Sequence, residues 1–294
     1  MRDSTLWRIL AGYDGSLPAG TAIEAGARLM PTAQARIAYL WTPPFASDAM
    51  RRRLWRKIGG VDDFVAAVER EGEAEARRVA AVGVLLAEGY GWKAEPLIRH
   101  TYSGEGLQLA RLAGRIGTDL AVVGSRGLGG ARAILGSVSD MFVHYAPCPV
   151  LVVPYPLLQN DWAALADGPV VVGWDGSAGA RTALETAGTL LPTRPLVPVF
   201  VRDGDEPAGV PPAGLVTRPE RPAVLEHGRS VAAALVAEAR DRRAAVIAVG
   251  SLGRSALREI VVGSVAMATL HHAFRPVLFV PQSHDPVPDE GGEP

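Results

Sequence analysis

An internal repeat constrains the fold of this chain more than any other feature of its sequence. An apolar run that ends in Gly-x-Asp-Gly-Ser occurs at residues 7–16 and again at 170–177. An apolar run with Gly-Ser-x-Gly, then Gly-Ser-Val, then a Pro-Val-Leu run follow in the same order within 120–154 and 246–281. Four matched blocks in one order predict two tandem copies of one domain, which suits a length of 294 residues.

The apolar runs also predict the strands. Short runs that are apolar on both faces suit a parallel sheet covered by helices on both sides. The predicted strands are 7–12, 35–41, 95–100, 119–123 and 149–153 in the first copy, and 169–173, 196–201, 214–217 or 223–226, 245–249 and 276–280 in the second. The predicted helices are 18–30, 61–88, 103–116, 137–145, 178–191, 229–240 and 264–272. This alternation predicts an α/β fold with a doubly wound, Rossmann-like parallel sheet in each copy.

The predicted domain organisation places the second copy after a short linker. The expected segments are a first domain at 1–154, a linker at 155–168, a second domain at 169–281 and a disordered tail at 282–294. The second domain is shorter, because Gly250 follows Asp175 by 75 residues whereas Gly124 follows Asp14 by 110. Residues 203–222 are rich in proline and glycine, so we predict a loop there and the loss of one helix.

Composition limits the partners and the compartment. A formal net charge of −1 does not suit binding to nucleic acid, which needs excess positive charge. Cys148 is the single cysteine, so no intrachain disulfide can form and a reducing compartment is expected. No apolar run approaches the roughly 18 residues of a membrane helix, and the N-terminus lacks the apolar core of a signal peptide. We therefore expect a soluble cytoplasmic protein without a membrane partner.

The glycine-rich segments suggest phosphate chemistry. Gly250 and Gly253 follow a strand, and Gly263 with Ser264 begins a helix after nine further residues. Glycine lets the backbone turn sharply and approach a ligand, while a helix N-terminus offers N–H groups and a positive dipole end. Arginines that could add charge lie nearby, at Arg254 and Arg258 in the second copy and at Arg126 and Arg132 in the first.

An aspartate ends the first strand of each copy. Asp14 and Asp175 could each hydrogen-bond a ribose hydroxyl or a base. The alternative is that Asp-Gly-Ser and Gly-Ser are ordinary turn and helix-cap chemistry, which is how each segment would be explained if it occurred alone. Their repetition in the same order favours a binding function.

Other kinds of site find no support in the sequence. Lysine occurs only at Lys57 and Lys93, so a P-loop with its lysine is excluded. Residues 127–129 lack the third glycine of a dinucleotide-binding loop, and no Gly-x-Ser-x-Gly elbow of an α/β-hydrolase is present. His271 and His272 are adjacent and point in different directions on a helix, so we expect no metal site.

Together the motifs resemble those of the universal stress proteins. Nucleotide-binding members of that family carry Gly-x2-Gly-x9-Gly-(Ser/Thr), an aspartate after the first strand and a last strand like Pro-Val-Leu-Val-Val-Pro. The resemblance implies an adenine nucleotide alpha hydrolase-like fold and ATP, with or without Mg²⁺, as ligand. In the second copy it implies contacts from Asp175 to the adenosine end, from Phe200 to adenine, and from Gly250, Gly253, Gly263, Ser264 and Val265 to the phosphates. The matching positions in the first copy are Asp14, Leu40, Gly124, Gly127, Gly136, Ser137 and Val138.

The first copy departs from this motif. Eight residues rather than nine separate Gly127 from Gly136, whereas the second copy keeps nine between Gly253 and Gly263. The shorter loop either tightens around the ligand or spoils the pocket. We therefore expect the second copy to be the better binder.

Two functions remain open. In the first, the chain is an ATP-binding stress-response or signalling protein that acts through ligand-dependent conformation or assembly. No catalytic residues are predicted, so hydrolysis would be slow at most. In the second, the pockets are vestigial and the chain is a nucleotide-independent interaction or oligomerisation module. An enzyme of adenylate transfer would be a third, but it needs catalytic residues that the sequence does not supply.

The terminal strands predict assembly. Residues 150–153 and 277–280 are apolar, and an unpaired apolar strand invites pairing. The family resemblance implies that these strands associate, so we expect the two copies to form a pseudo-dimer within one chain. We also expect two chains to associate as a homodimer.

Overall fold

A computed structural model describes residues 6–42, 61–101, 104–125, 135–202, 210–219, 227–251 and 262–282. In order, its elements are β1 (Trp7–Gly12), α1 (Leu17–Leu29), β2 (Ala33–Trp41), α2 (Val61–Gly89), β3 (Lys93–His100), α3 (Glu105–Arg115), β4 (Leu120–Gly124), α4 (Ser137–Tyr145), β5 (Val150–Val153), α5 (Gln159–Asp167), β6 (Val170–Gly173), α6 (Ala178–Leu190), β7 (Leu196–Arg202), β8 (Val216–Pro219), α7 (His227–Asp241), β9 (Val246–Gly250), α8 (Ser264–His272) and β10 (Val277–Val280). The first half is β1 to β5 and the second half is β6 to β10. The tail predicted beyond residue 282 lies outside the described residues.

The ten strands form one sheet in the order β3-β2-β1-β4-β5-β10-β9-β6-β7-β8. Every pair within a half is parallel, and each half has the same doubly wound order. The α/β prediction with two parallel, doubly wound units is therefore confirmed. In each half the chain changes direction across the sheet between its first and fourth strands, which is where ligands of such folds bind, at the carboxyl ends of the strands.

The halves join through their last strands. β5 and β10 pair antiparallel, with Val277 opposite Val152 and Leu278 opposite Leu151. This pairing, called the seam below, confirms the pseudo-dimer predicted within one chain. Because the seam is antiparallel, the strands of the two halves run in opposite directions. The carboxyl ends of the first-half strands therefore lie on the opposite side of the sheet, along the strand axis, from those of the second half. Each half therefore has its own candidate site, remote from the other.

Two apolar layers cover the sheet, and both cross the seam. One layer contains buried side chains from α1, α5 and α6, such as Ile23, Leu165 and Ala183. The other contains side chains from α3, α4, α7 and α8, among them Leu109, Phe142, Leu235 and Leu270. Each layer includes residues of both β5 and β10, so the halves share one continuous core. Within the described ranges, no helix combines the length and the apolar composition needed to cross a membrane.

The expected linker at 155–168 contains a helix, α5. Its first turn is capped by Asp161, whose carboxylate accepts the Leu158 N–H at 2.9 Å. Its Trp162 ring lies 4.8 Å beneath the Arg28 guanidinium of α1. The other oxygen of Asp161 lies 3.7 Å from Arg275, which is two residues before β10. The segment is thus a packed connection that holds the first half, through α1, to the second half.

Arg275 is a buried cation with one carboxylate partner. Its side chain is 8% exposed, and its Nη1 atom has no hydrogen-bond partner in the part of the chain that the structure describes. Burial lowers its pKa, and Asp161 opposes that shift. Removing one partner of such a pair leaves the other charge buried and uncompensated. Loss of either partner would therefore leave an uncompensated buried charge where α5 meets the second half.

The second half is shortened where the sequence predicts it. In the first half α2 connects β2 to β3, whereas the described residues 210–215 between β7 and β8 contain no helix. β8 pairs with β7 from Val216 onward, which corresponds to the earlier of the two strand positions predicted there. The exact domain boundaries stay a prediction.

The open edges of the sheet are β3 and β8 rather than the apolar terminal strands. β8 has four residues and ends at Pro219, while β3 contains Pro96 and charged side chains. Short strands, proline and charge discourage edge-to-edge pairing. Because the seam occupies β5 and β10, these strands no longer give a reason for two chains to associate. The homodimer stays a prediction without that argument.

The seam can be tested at Phe279, which lies opposite Val150 and is 1% exposed. Phe279→Ala removes a large side chain from the layer that both halves share, and we expect a loss of about 3–5 kcal/mol in the free energy of unfolding. Urea unfolding followed by circular dichroism measures it. Phe274→Ala is the control, because Phe274 is 74% exposed and its removal should change stability by no more than about 0.5 kcal/mol. Equal losses in both variants would contradict a shared core.

Candidate nucleotide-binding sites

Each candidate site begins with the Asp-Gly-Ser turn after the first strand of its half. The Ser16 N–H donates to Asp14 Oδ1 at 2.9 Å, and the Ser16 hydroxyl accepts the Ala19 N–H at 3.3 Å as the cap of α1. Gly15 has φ +83°, a left-handed conformation that glycine adopts without strain. The turn therefore fixes the Asp14 carboxylate at the edge of the sheet and uses one of its oxygens.

The second half repeats this turn. The Ser177 N–H donates to Asp175 Oδ1 at 2.9 Å, the Ser177 hydroxyl accepts from Ala180 at 3.1 Å, and Gly176 has φ +80°. Turn and cap chemistry is thus present in both copies, as the alternative explanation of these motifs expects. It does not exclude binding, since a carboxylate has a second oxygen and accepts several hydrogen bonds.

A pair of backbone hydrogen bonds closes the glycine-rich loop of the first half, and we call this pair the neck. The Ser125 N–H donates to the Val153 carbonyl at 2.7 Å, and the Gly136 N–H donates to the Ser125 carbonyl at 2.7 Å. In the second half the corresponding distances are 2.9 Å from Ser251 to Val280 and 2.6 Å from Gly263 to Ser251. The loops that contain Gly127 and Gly253 lie outside the described residues.

The neck has two consequences for the predicted site. Both loops begin and end on the same hydrogen-bonded frame, so the one-residue difference between them is confined to the loop itself. The N–H groups of Gly136 and Gly263 are already bonded, so these glycines do not offer the free N–H that the motif suggested. Phosphate contacts from the backbone must come from the residues that follow.

Those residues form the first turns of α4 and α8. Gly136 and Gly263 are the N-caps, and Ser137, Val138, Ser264 and Val265 follow them. Both serines are exposed. The first N–H groups of a helix have no intrahelical acceptor, and they carry the positive end of the helix dipole. The two turns can therefore bind an anion through backbone N–H groups and a serine hydroxyl.

Three glycines around the necks are required by packing. A Cβ on Gly250 would lie 2.5 Å from the Gly179 backbone, so the end of β9 and the first turn of α6 are in direct contact. A Cβ on Gly106 would lie 2.5 Å from the Val138 carbonyl oxygen, and one on Gly228 would lie 2.8 Å from Ser264 Cβ. Sequence reasoning missed Gly106 and Gly228, which seat α3 and α7 against the proposed phosphate turns.

The register changes which second-half residue matches Leu40, the predicted adenine contact of the first half. The Tyr13 N–H bonds to the Ala38 carbonyl, and the matching Trp174 N–H bonds to Val199, both at 2.9 Å. Ala38 therefore matches Val199, which makes Val201 rather than Phe200 the counterpart of Leu40. Val201 and Leu40 belong to the layer formed by the helices of the necks, α4 and α8. Phe200 points to the opposite face because strand side chains alternate.

The edge of the first-half site is acidic. Burial raises the pKa of Glu105, the first residue of α3, and the charge of Asp14 raises it further. Burial also raises the pKa of Tyr39, followed by the charges of Glu75, Asp14 and Glu105. Glu105 and Tyr39 were not among the predicted site residues. Glu105 adjoins the Gly104-x-Gly106 turn, and that was the available signal.

The second half reaches the loop of the first half through α8. The Leu135 N–H, one residue before the cap Gly136, donates to Nδ1 of His271 at 3.3 Å. His144, which matches His271, instead lies 2.9 Å from the carbonyl of Asp140 on its own helix. Burial lowers the pKa of His271, with Asp140 opposing and His272 and Arg229 adding to the shift. The neutral ring can accept this bond, whereas a ring protonated at Nδ1 cannot.

Two further features bear on metals and thiol chemistry. Within the described ranges, no three or more His, Cys, Asp or Glu side chains lie together as a metal site. Cys148 is buried, and burial raises the pKa of its thiol to about 12. A thiolate is the reactive form of cysteine, so this side chain serves packing.

The fold and the site together define a class of protein. It has Rossmann-like α/β domains in which a helix with a glycine N-cap and a first serine begins at the carboxyl ends of the parallel strands. The model of the universal stress protein family matches residues 7–154 and 217–281. The chain belongs to the universal stress protein family.

Relatives agree with this assignment. Universal stress protein Rv2005c of Mycobacterium tuberculosis is 31% identical over 189 residues, which cover 56% of this chain and 62% of that protein. A universal stress protein of Mycolicibacterium smegmatis is 28% identical over 189 residues, covering 55% of this chain and 61% of that protein. The chain thus spans less than two thirds of the length of these curated relatives.

Solved structures share the fold. A universal stress protein from Archaeoglobus fulgidus superposes with a TM-score of 0.63 at 19% identity, covering 93% of this chain and 98% of that chain. A functionally unknown protein from Pseudomonas aeruginosa superposes with a TM-score of 0.56 at 13% identity, covering 95% and 94%. At these identities the likeness concerns the fold.

Gly228→Ala tests the contact between α7 and the turn of α8. The new Cβ would lie 2.8 Å from Ser264 Cβ and 3.0 Å from its carbonyl carbon, so the helices must separate. We expect a loss of about 1–3 kcal/mol in the free energy of unfolding, measured by urea unfolding. In the control Gly188→Ala, the nearest atom is Leu196 Cδ1 at 3.4 Å. That helix should gain about 0.5–1 kcal/mol. A Gly228→Ala variant as stable as the parent would refute the contact.

The bond from Leu135 to His271 predicts a pH dependence. The folded state holds the pKa of His271 below 6.5, so the unfolded state binds more protons as pH falls through that value. The free energy of unfolding should therefore decrease from about pH 7.5 to about pH 5.5. His271→Asn keeps an acceptor that does not titrate, so its decrease should be smaller. Urea unfolding across this range checks the prediction, with exposed His272→Asn as control. Identical pH profiles for His271→Asn and the parent would rule it out.

Proposed function

We propose that each half of this universal stress protein binds an adenine nucleotide, with ATP as the ligand of at least the second half. The supporting observation is the neck, which holds a glycine-capped helix N-terminus beside the aspartate turn in the same way in both halves. A repeated frame that leaves helix N–H groups at a strand edge suits phosphate binding. Nucleotide occupancy would set a conformation or assembly that partners read in a stress response or in signalling.

The residues present fit such a ligand. In the second half, the Ser264 and Val265 N–H groups with the Ser264 hydroxyl would bind phosphate, Asp175 would face the ribose, and Val201 would line the adenine pocket. In the first half the corresponding residues are Ser137, Val138, Asp14 and Leu40. Gly124, Gly136, Gly250 and Gly263 would shape the turns, with Gly127 and Gly253 in the loops. Mg²⁺ would enter with the phosphates, which commonly supply several of its ligands.

The same residues argue against rapid turnover. In each half they are glycines, one serine, two apolar side chains and one aspartate, a set that suits phosphate binding. Fast phosphoryl transfer depends on positively charged groups and a positioned base around the transferred phosphate. We therefore propose a binding protein whose hydrolysis of ATP is slow at most.

A second candidate is a nucleotide-independent interaction module. The continuous core across the seam favours it, because both apolar layers close without any ligand. In that case the necks would serve only to close the loops and begin the helices.

Nucleotide content separates the two candidates. Purified protein is denatured, and the released nucleotide is identified by chromatography and mass spectrometry; calorimetric titration with Mg-ATP follows. Ser137→Asp and Ser264→Asp each place a carboxylate where phosphate would lie, and an acidic residue in the first turn favours the helix itself. We expect each variant to lose one site and keep its fold.

The control carries the same change of charge far from both necks. Thr193→Asp lies in the exposed turn before β7, at the amino end of that strand. Its nucleotide stoichiometry should equal that of the parent. No binding by the parent in either experiment would reject the nucleotide function and favour the interaction module. Binding that neither serine variant reduces would place the ligand elsewhere.

A further inference from the structure

The two candidate sites differ in charge. The first turns of α3 and α4 contain Glu105 and Asp140, whereas the first turns of α7 and α8 contain no acidic residue. Counted from the ends of α3 and α7, which lie equally far before Gly124 and Gly250, Glu105 corresponds to Val231, and Asp140 corresponds to Met267. The asymmetry extends to the strand ends, where β7 finishes with the exposed Arg202. The two copies of the frame thus hold their ligand in different electrostatic surroundings.

Glu105 lies close to the proposed phosphate turn. The next residue, Gly106, is in such tight contact with α4 that a Cβ there would lie 2.5 Å from the Val138 carbonyl oxygen and 2.9 Å from the Phe142 N atom. In the second half α7 begins about one turn earlier than α3 does, and its Gly228 contacts Ser264. Positions 105 and 231 are therefore equivalent, and Glu105 adjoins the turn that would hold phosphate.

The aspartate of the same site acts on Glu105. The carboxyl group of Glu105 is partly buried. Burial is the larger cause of its raised pKa, and the charge of the Asp14 carboxylate raises that pKa further. Asp14 and Glu105 reach the same edge from different elements, the turn after β1 and the start of α3. A ligand held between them would meet two carboxylates, whereas the second half offers Asp175 alone from the equivalent pair of positions.

We propose that Glu105 is a specificity-determining residue, so that the first half takes an adenine nucleotide with little phosphate charge, such as the monophosphate, while the second half takes the triphosphate. This inference rests on the proposed nucleotide binding. A triphosphate carries more negative charge than a monophosphate, so an adjacent carboxylate penalises it more. Charges several ångströms apart near a protein surface interact strongly enough to change affinity severalfold, and salt screens the effect.

The experiment isolates the first half in the Ser264→Asp background. Calorimetry then measures the affinities of AMP and ATP without Mg²⁺, so that the phosphates keep their full charge. Glu105→Gln should raise the affinity for ATP by about three- to tenfold at about 0.05 M salt, and by less at about 0.5 M salt. The affinity for AMP should change less. If Glu105 served only packing, the change in affinity caused by Glu105→Gln would not depend on salt or on the number of phosphates.

Two companion variants complete the test. Glu95→Gln removes the same charge from an exposed side chain near the start of β3, far from the site, and should leave both affinities unchanged. In the Ser137→Asp background, which isolates the second half, Val231→Glu should lower the affinity for ATP relative to AMP.

The outcomes are distinct. A larger gain for ATP than for AMP in Glu105→Gln, reduced by salt and mirrored by a loss in Val231→Glu, supports the proposal. Equal preference for AMP and ATP in both halves, unchanged in either variant, overturns the proposal and leaves nucleotide binding intact. No binding of AMP or ATP in the parent overturns both.

Discussion

Antiparallel pairing between β5 and β10 determines the architecture of this protein. It merges two five-stranded parallel sheets into one sheet of ten strands, and it lets both apolar layers run across the junction. Through the same pairing the strands of the two halves run in opposite directions, so the two candidate sites lie at opposite ends of the strands. It also occupies the most apolar strands of the sheet and leaves short or charged strands at its borders. Fold, site placement and edge protection all follow from this one contact.

At the sites, a small frame is held constant while its surroundings vary. The neck bonds of Ser125 and Gly136 recur at Ser251 and Gly263, although the loops between them differ by one residue. Anchoring both ends of a loop on adjacent backbone groups confines a length change to the loop. The side chains around the frame are then free to diverge, as Glu105 and Val231 have done. Conserved geometry with altered charge is a simple route from two equal sites to two unlike ones.

Much of this structure follows from apolar runs and repeated motifs, which predicted the strands and a doubly wound parallel sheet in each half, while the family resemblance implied the pairing of the terminal strands. Other features could not be predicted, for physical reasons. A strand that is apolar on both faces has no alternation of polar and apolar residues to show which side chains share a face. Phe200 was therefore matched with Leu40, although the register makes Val201 the counterpart of Leu40. Helix α5 is short and follows Pro156, and its stability comes from tertiary contacts such as the one between Trp162 and Arg28. The acidic edge needs Glu105 beside Asp14, a neighbourhood that only the fold creates.

Because the two halves belong to one chain, a contact across the seam can occur once instead of as a symmetric pair. In a symmetric dimer of identical domains every interface contact occurs twice, so a substitution must suit both copies at once. Here the pair between Arg275 and Asp161 occurs once, and the position that matches Arg275 holds the buried, uncharged Cys148. The bond from Leu135 to His271 is likewise made in one direction. One polypeptide can therefore acquire asymmetric contacts singly, and its two halves stay together at any dilution.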